Sequence, residues 1–368
     1  MNRRHFLIGS MAAAAPSVSA ADSGAIGTGF IGTGNRGSHL LELTLDEPTA
    51  KVVAVCDIKP DRLDRAATIA ARDQPTTFSD WRKLIDRKDI GAVFIATPCD
   101  LHVEMAIAAL KAGKHVYCEK PIGITAESIR ELVKVARSSK TVFQTGLQRR
   151  SEPRLRGTIS RIHEGVAGKV IYVKAQRHND SDLAHDGSSA DWFFFPNRSG
   201  DLITENSVHN LDVCNWAINS YPERATGFGG NIMYVNDPPG RTNMDGYTLS
   251  YEYANGVKLA FTQVAFHPAK MPYAWQHTFI YGTKGAVDLD TAMFYPHEGG
   301  EPQVLAPPEE RAPRDRHIAD FYECIRTGKK PAADIIVGAS GALTSILGRE
   351  AINRKKILTW KELGVDFL

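Results

Sequence analysis

Charge of one sign is what this 368-residue chain has least of: 44 Lys and Arg stand against 42 Asp and Glu, a formal net charge of +2. Removing Arg3 and Arg4 with an N-terminal leader brings the basic count from 44 to 42, equal to the 42 acids. A balanced chain has no electrostatic footprint for nucleic acid. Cysteine is scarce too. The five residues Cys56, Cys99, Cys118, Cys214 and Cys324 are odd in number and form no C-x-x-C. They read as small buried residues rather than as a disulfide framework or a metal site. No apolar run reaches the ~18 residues a bilayer span needs, and neither an internal repeat nor a low-complexity linker interrupts the chain. What is there is a chain of 43% hydrophobic residues, long enough for two domains.

The N-terminus, residues 1–21, reads as a twin-arginine signal peptide. Arg3-Arg4 is followed by a weakly apolar stretch over 6–15 and the small-residue cleavage site Val18-Ser19-Ala20. The expected location is therefore periplasmic or extracytoplasmic. Thiols without a disulfide plan suit a protein that folds in the cytoplasm, loads a cofactor there and is exported folded.

From residue 25 to 146 strands and helices alternate. Strands are predicted over 26–31, 51–56, 92–97, 115–118 and 142–145. Helices are predicted over 37–45, 62–72, 102–111 and 125–138, with Gly113 as a left-handed stop and Ser79 capping a short helix through Arg87. Helices of ~10–14 residues between strands mean a parallel sheet covered on both faces. After Gly146 the texture changes. Strands over 170–177, 226–235, 248–253, 258–264 and 277–281, with a hairpin signal at Ala254-Asn255-Gly256, predict a largely antiparallel sheet. Helices over 152–164, 207–218, 317–328 and 338–352 accompany it. The fold class is α/β, with a Rossmann domain over 22–150 and a second α/β domain over 151–368.

Gly32-Thr33-Gly34-Asn35-Arg36-Gly37 fits G-x-G-x-x-G between a strand and a helix, and Asp57 ends the next strand twenty residues past Gly37. Gly32 permits the tight turn, Gly34 lets a pyrophosphate approach backbone N–H groups, and Gly37 allows close helix–strand packing. Asp57 is placed to accept from ribose hydroxyls and to repel a 2′-phosphate, which favours NAD over NADP; Lys59 and Arg62 moderate that preference.

Further strings point to one family: Ala96-Thr97-Pro98, Leu101-His102, Lys111-Ala112-Gly113-Lys114-His115-Val116 and, above all, Glu119-Lys120-Pro121 at a strand end. With the glycine fingerprint they resemble the glucose–fructose oxidoreductase / inositol dehydrogenase (Gfo/Idh/MocA) family, sharply through residues 25–150 and more loosely at Gly282-Thr283-Lys284-Gly285. The resemblance implies a Rossmann domain followed by an α/β domain whose open sheet mediates dimers or tetramers. It also implies a cofactor between the domains, and chemistry on sugars, polyols and related hydroxy compounds. Asn35, Arg36, Thr97, Pro98, His102, Glu119 and Gln148 join Gly32, Gly34, Gly37, Asp57 and Lys120 as expected cofactor-binding residues.

Hydride transfer from an alcohol needs a bound nicotinamide, a base for the hydroxyl proton and a donor that steadies the alkoxide. The resemblance gives Lys120 the last role. Family members commonly carry Asp-x-x-x-His on a helix; Glu205 and His209 hold that i, i+4 spacing here, with glutamate replacing aspartate. His209 is the candidate acid/base, and Glu205 orients it or binds a substrate hydroxyl. Asp212 is either an orienting partner or a capping or surface acid. Arg149 and Arg150 bind substrate, clasp the cofactor, or form structural ion pairs. Arg177 and Trp192 are candidates for a sugar pocket, while Phe193–Phe195 read as packing. His178, Asp180, Asp182, His185 and Asp186 match no metal motif and read as a solvated loop, so no metal is expected.

The expected function is an NAD(P)-dependent oxidoreductase acting on a sugar, polyol or glycoside hydroxyl with a tightly bound cofactor, since an exported enzyme has no free nicotinamide pool. The alternative is an NAD-dependent glycoside hydrolase, in which transient oxidation acidifies a neighbouring C–H, the aglycone is eliminated, and the oxidation is reversed. A non-catalytic binder is disfavoured by the presence of both Lys120 and His209. The expected partner is a small carbohydrate, with no integral membrane segment in the mature chain and homo-oligomerisation.

Overall fold

A computed structural model describes residues 24–179, 192–308 and 316–367. The expected signal peptide, and Asp180, Asp182, His185 and Asp186, lie outside the described residues.

The first half builds β1 (Ile26–Ile31), α1 (Asn35–Leu45), β2 (Ala50–Cys56), α2 (Pro60–Ile69), β3 (Thr76–Phe78), α3 (Trp81–Ile85), β4 (Ala92–Ile95), α4 (His102–Lys111), β5 (His115–Cys118), α5 (Ala126–Ser138) and β6 (Phe143–Thr145). All adjacent pairs are parallel and the order is β3-β2-β1-β4-β5-β6. That is the doubly wound order, in which ligands sit outside the carboxyl ends of the strands at the reversal between β1 and β4. Strand β3 was missed because three residues carry too little pattern. The short helix is capped by Asp80, whose Oδ1 accepts from Arg82 N at 3.0 Å, rather than by Ser79.

The second half builds α6 (Pro153–His163), β7 (Val170–His178), α7 (Pro196–Ser199), α8 (Asp201–Glu205), α9 (Val208–Ile218), β8 (Pro222–Gly230), β9 (Gly246–Tyr253), β10 (Lys258–Val264), β11 (Trp275–Gly282), β12 (Gly285–Asp288), β13 (Met293–Pro296), β14 (Gln303–Val304), α10 (Arg316–Thr327), α11 (Ile335–Asn353) and β15 (Leu358–Thr359). The nine strands run β14-β13-β12-β11-β7-β10-β9-β8-β15, antiparallel except for β7–β10. The strand expected over 226–235 begins and ends earlier. The Asp245 carboxylate takes the backbone N–H groups of Ile232, Met233 and Tyr234 at 2.7–2.9 Å and folds that stretch into a loop.

Two helices cross the sequence division at residue 150. Helix α10 packs on the first sheet, not the second. Phe30, Phe94 and Tyr117 stack along one sheet face at 4.7 and 4.8 Å, and Phe321 meets Phe94 and Tyr117 edge-on at 5.5 and 5.9 Å. Each such buried ring contributes roughly 1.5–3 kcal/mol of transfer free energy. Helix α11 has the length and apolarity of a membrane span, contrary to the expectation that no such run exists. It is mostly buried between α9, α5 and β8. Its Arg349 donates to Gly200 O at 2.9 Å and to Ile124 O at 3.1 Å, tying the helices under the second sheet to the turn after β5. Thr145 N donates to Ala333 O at 2.7 Å, and Gln144 to His317 O at 2.7 Å, so the two halves share one core.

Candidate active site

The turn after β1 makes the first wall. Gly32 has φ +84°, and a Cβ there would stand 2.6 Å from Ala96 O. A Cβ on Gly37 would overlap the Gly32 carbonyl oxygen, so α1 reaches the strand only because residue 37 is glycine. Helix α1 starts at Asn35 with no side-chain cap on its first turn, leaving its N-terminus aimed at the cavity.

That cavity is lined by Gly32, Gly34, Asn35, Arg36, Asp57, Ile58, Arg62, Thr97 and Pro98, with Trp81, Leu101, Met105 and Trp192 as apolar wall. A dinucleotide fits this donor set: the N-terminus of α1 for a pyrophosphate, Arg36 and Arg62 as cations beside it, and an acid at the end of β2. Asp57 is already engaged, accepting from Thr33 N at 2.7 Å and Lys59 N at 2.9 Å. The Thr33 hydroxyl also donates to Oδ2 at 3.3 Å; these bonds fix the carboxylate on the turn, and Oδ1 keeps a second lone pair for a ribose hydroxyl.

Three expected cofactor residues stand behind this wall. His102 is buried, with Nδ1 2.7 Å from Pro121 O and Nε2 2.8 Å from Thr97 O. One ring nitrogen donates to a backbone carbonyl and the other lies against a second, so His102 couples the β4 and β5 turns from behind the cavity lining. Glu119 is also buried. It accepts from Arg36 Nε at 2.7 Å and from Lys120 N at 3.1 Å, and those two cations hold its carboxyl below the usual range against the effect of burial. It presents Arg36 to the cavity. Gln148 is half-buried and outside the cavity lining, with a buried Oε1 that has no partner among the described residues.

Lys120, at the end of β5, reaches the second half of the chain. Its ammonium donates to the Glu205 carboxylate and, at 2.7 Å, to the Glu205 main-chain carbonyl. Glu205 and His209 do not share one helix as the spacing suggested. Helix α8 ends at Glu205 and α9 begins at Val208. The break falls where Asn206 accepts from Arg177 Nε and, at 2.7 Å, from Gln263 Nε2, while Ser207 bonds Gln263 and Tyr247. The sheet pulls these two side chains inward and interrupts the helix.

His209 follows in the first turn of α9, half-buried, and its buried Nδ1 has no partner among the described residues. Burial first, then the charges of Lys120, Arg177, Arg36 and Arg149, push its pKa well below the ordinary value. His209 therefore sits neutral, close to both the E-K-P lysine and an arginine of the cavity wall.

The remaining candidates separate. Arg150 forms a two-pronged pair with Asp212, 2.8 Å on each arm, stacked 4.9 Å from the Trp216 ring. Both are structural, which settles Asp212's role as a buried counter-ion. Arg149 has only distant acids, Glu152 at 3.7 Å and Asp290 at 4.0 Å. Trp192 lines the dinucleotide cavity rather than a separate sugar pocket, and Phe193 and Phe194 are core. His178 bonds Thr262 Oγ1 at 3.0 Å, and no group of acids, histidines and cysteines suited to a metal occurs among the described residues. Lys114, read only as part of a motif, is buried and donates to Arg87 O and Ile90 O at 2.7 and 2.8 Å. All five cysteines are free and buried.

Fold and site together define a nicotinamide-dependent oxidoreductase acting on CH–OH groups. Residues 26–147 match the model of the oxidoreductase family with an NAD-binding Rossmann fold, and 158–288 match the GFO/IDH/MocA C-terminal domain. The chain belongs to the Gfo/Idh/MocA oxidoreductase family. It is 27% identical over 266 residues to a 2,7-anhydro-N-acetylneuraminate hydratase of Mediterraneibacter gnavus, 72% of this chain and 67% of that one. It is 30% identical over 202 residues to an inositol 2-dehydrogenase of Salmonella typhimurium, 54% of each. The chain thus spans from about half to two thirds of these relatives' length. Among solved structures, a levoglucosan dehydrogenase in complex with NADH superposes with a TM-score of 0.79 at 20% identity, over 91% of this chain and 98% of that one.

Proposed function

We propose that this protein oxidises a hydroxyl of a sugar or polyol, using NAD held in the β1–β4 cavity. The observation that carries this reading is the convergence of Lys120, Glu205 and His209 beside a cavity built for a dinucleotide. A bound nicotinamide supplies the acceptor for the substrate's hydride. Lys120 spends two of its N–H groups on Glu205 and directs the third at the substrate oxygen, where it stabilises the developing alkoxide. Neutral His209 takes the hydroxyl proton. NAD is preferred over NADP because Asp57 sits on the cavity wall.

The experiment is to purify the protein without added cofactor, denature it, and identify the released nicotinamide by mass. Intact protein is then offered sugars and polyols while reduced-nicotinamide absorbance is followed. Stoichiometric NAD(H) with substrate-dependent reduction supports the reading. Absence of bound cofactor, and of binding on addition, sinks it.

A second reading, a cycle of oxidation, elimination and re-reduction without net redox change, gains support from the hydratase relative, whose name denotes addition of water. Release of an aglycone, or hydration of an anhydro sugar, without lasting cofactor reduction would select it.

Two further readings accompany the proposal. Export by the twin-arginine route rests on Arg3-Arg4 and the stretch after it; mutating both to lysine should retain the protein in the cytoplasmic fraction. Homo-oligomerisation rests on the uncovered sheet face, where Phe228 is 84% exposed and Tyr172 41% exposed; light scattering at a monomer mass would refute it.

A further inference from the structure

Beside His209 stands a cation that the reaction does not use. Arg177 lies on β7, in register with Gln263 on β10 and Gln276 on β11, so the three side chains share one sheet face. That face lies under the start of α9, since Asn210 Nδ2 donates to Gln276 Oε1 at 3.5 Å. The guanidinium is half-buried, yet among the described residues its only hydrogen-bond partner is the neutral Asn206 Oδ1 and no acid approaches within ion-pair distance. Each neighbouring cation has an answer of its own: Arg36 pairs with Glu119, Lys120 with Glu205, and Arg150 with Asp212. Among the described residues Arg149 is answered only at 3.7 and 4.0 Å, and its buried Nη1 has no partner.

A half-buried guanidinium with no direct ion pair is costly unless something anionic completes it. Burial accordingly holds the Arg177 pKa below its ordinary value; the Glu205 charge offsets this in part, and Arg149 pushes the same way as burial. Arg177 is bonded to Asn206, the residue after Glu205, and Glu205 holds Lys120, so the guanidinium stands at the same chain break as the lysine. The forked geometry of Arg suits a carboxylate, which accepts two parallel N–H bonds. The neutral amide of Gln276 beside it suits a hydroxyl.

We propose that the substrate is an acidic sugar, a uronate or a related sugar carboxylate, whose carboxylate is bound by Arg177 with Arg149 in support. This deepens the oxidoreductase reading and rests on the same site. The named substrate of the hydratase relative is itself a sugar acid, whereas inositol is not.

The test is calorimetric titration of the holoenzyme with matched pairs, sodium glucuronate against glucose and sodium galacturonate against galactose, alongside cofactor reduction by each. The expected result is binding of at least one acid about 10–100-fold tighter than its neutral parent, weakening as salt is raised. Arg177→Gln should erase that preference and Arg177→Lys should restore part of it. Equal affinity for acids and neutral parents would overturn the proposal, as would an Arg177→Gln variant that keeps the preference or a panel in which no acid binds. If Arg177→Gln fails to fold, the salt dependence of the unmodified enzyme decides alone. Tight acid binding without hydride transfer would leave the carboxylate site standing and sink the oxidoreductase reading. Reduction by neutral sugars only would do the reverse.

Discussion

The Lys120 ammonium is held twice by one residue, through the Glu205 carboxylate and the Glu205 main-chain carbonyl at 2.7 Å. The pairing joins the end of β5 to the end of α8 and leaves one N–H of the lysine uncommitted. Glu205→Gln keeps the carbonyl acceptor and loses the charge-assisted arm, so kcat/KM should fall about 10–100-fold with little change in melting temperature. Lys120→Met removes the alkoxide donor and should cost at least about 100–1,000-fold. Steady-state rates of both variants check this; equal activity of Lys120→Met and the parent would refute the role.

His209 titrates below the ordinary histidine value, near ~6.5, because burial and four cations oppose its charge. Its base form therefore persists as pH falls through ~6.5, and the acid limb of kcat/KM should lie below that value. The same depression means that protonating His209 in the folded protein is unfavourable, so stability is lost as pH drops below ~6.5 rather than gained. His209→Gln should lower kcat/KM about 100–10,000-fold and abolish that limb.

Asp201 is buried at φ +74°, and its Oδ1 accepts from Leu202 N at 2.7 Å and Met244 N at 2.9 Å. Burial, opposed by these bonds, pushes its pKa up to about 6. Between ~pH 4 and ~pH 6 the unfolded carboxyl has lost its proton while the folded one keeps it, so stability declines as pH rises through this window. The limit is about 2–3 kcal/mol. Asn accepts the same two bonds and tolerates positive φ, so Asp201→Asn should flatten the dependence. Urea unfolding of both proteins across this range measures it.

Arg150 and Asp212 form a buried two-pronged pair. Arg150→Met strands the carboxylate and should destabilise by about 3–5 kcal/mol, with Arg150→Met/Asp212→Leu recovering much of the loss. Denaturant midpoints decide, and additive losses in the double variant would refute the pairing as the cause.

Gly37→Ala places a methyl group on the Gly32 carbonyl oxygen. The β1–α1 turn must open, at about 1–3 kcal/mol, and retained nicotinamide should fall in step. Mass analysis of the denatured variant reads this directly.

The Rossmann half was legible residue by residue because its signals are local. Strand 26–31, helix 102–111 and strand 115–118 fall where runs of apolar residues and a left-handed stop at Gly113 place them. The glycine turn and Asp57 are readable for the same reason: each glycine answers a steric demand within a few residues of it. The segments that escaped, β3, β12 to β15, α7 and α8, are too short to show a period.

The site was legible as residue types and not as contacts. Sequence named Lys120, Glu205 and His209, but spacing alone put the last two on one helix, and only the pull of Arg177, Gln263 and Tyr247 on Asn206 and Ser207 breaks it. Likewise His102 and Glu119 carry the family's motif yet stand behind the cavity wall, as burial and two backbone carbonyls dictate. Arg149 and Arg150 are adjacent and chemically equal in sequence; tertiary packing gave one a buried counter-ion and left the other with acids only at 3.7 and 4.0 Å among the described residues. Sequence by itself determined the alternation of elements, the nucleotide turn and the set of reactive side chains, because those follow from local sterics and periodicity. Tertiary structure decided which of those side chains meet and which charges stay unanswered, because these depend on contacts between residues as far apart as Lys120 and Glu205.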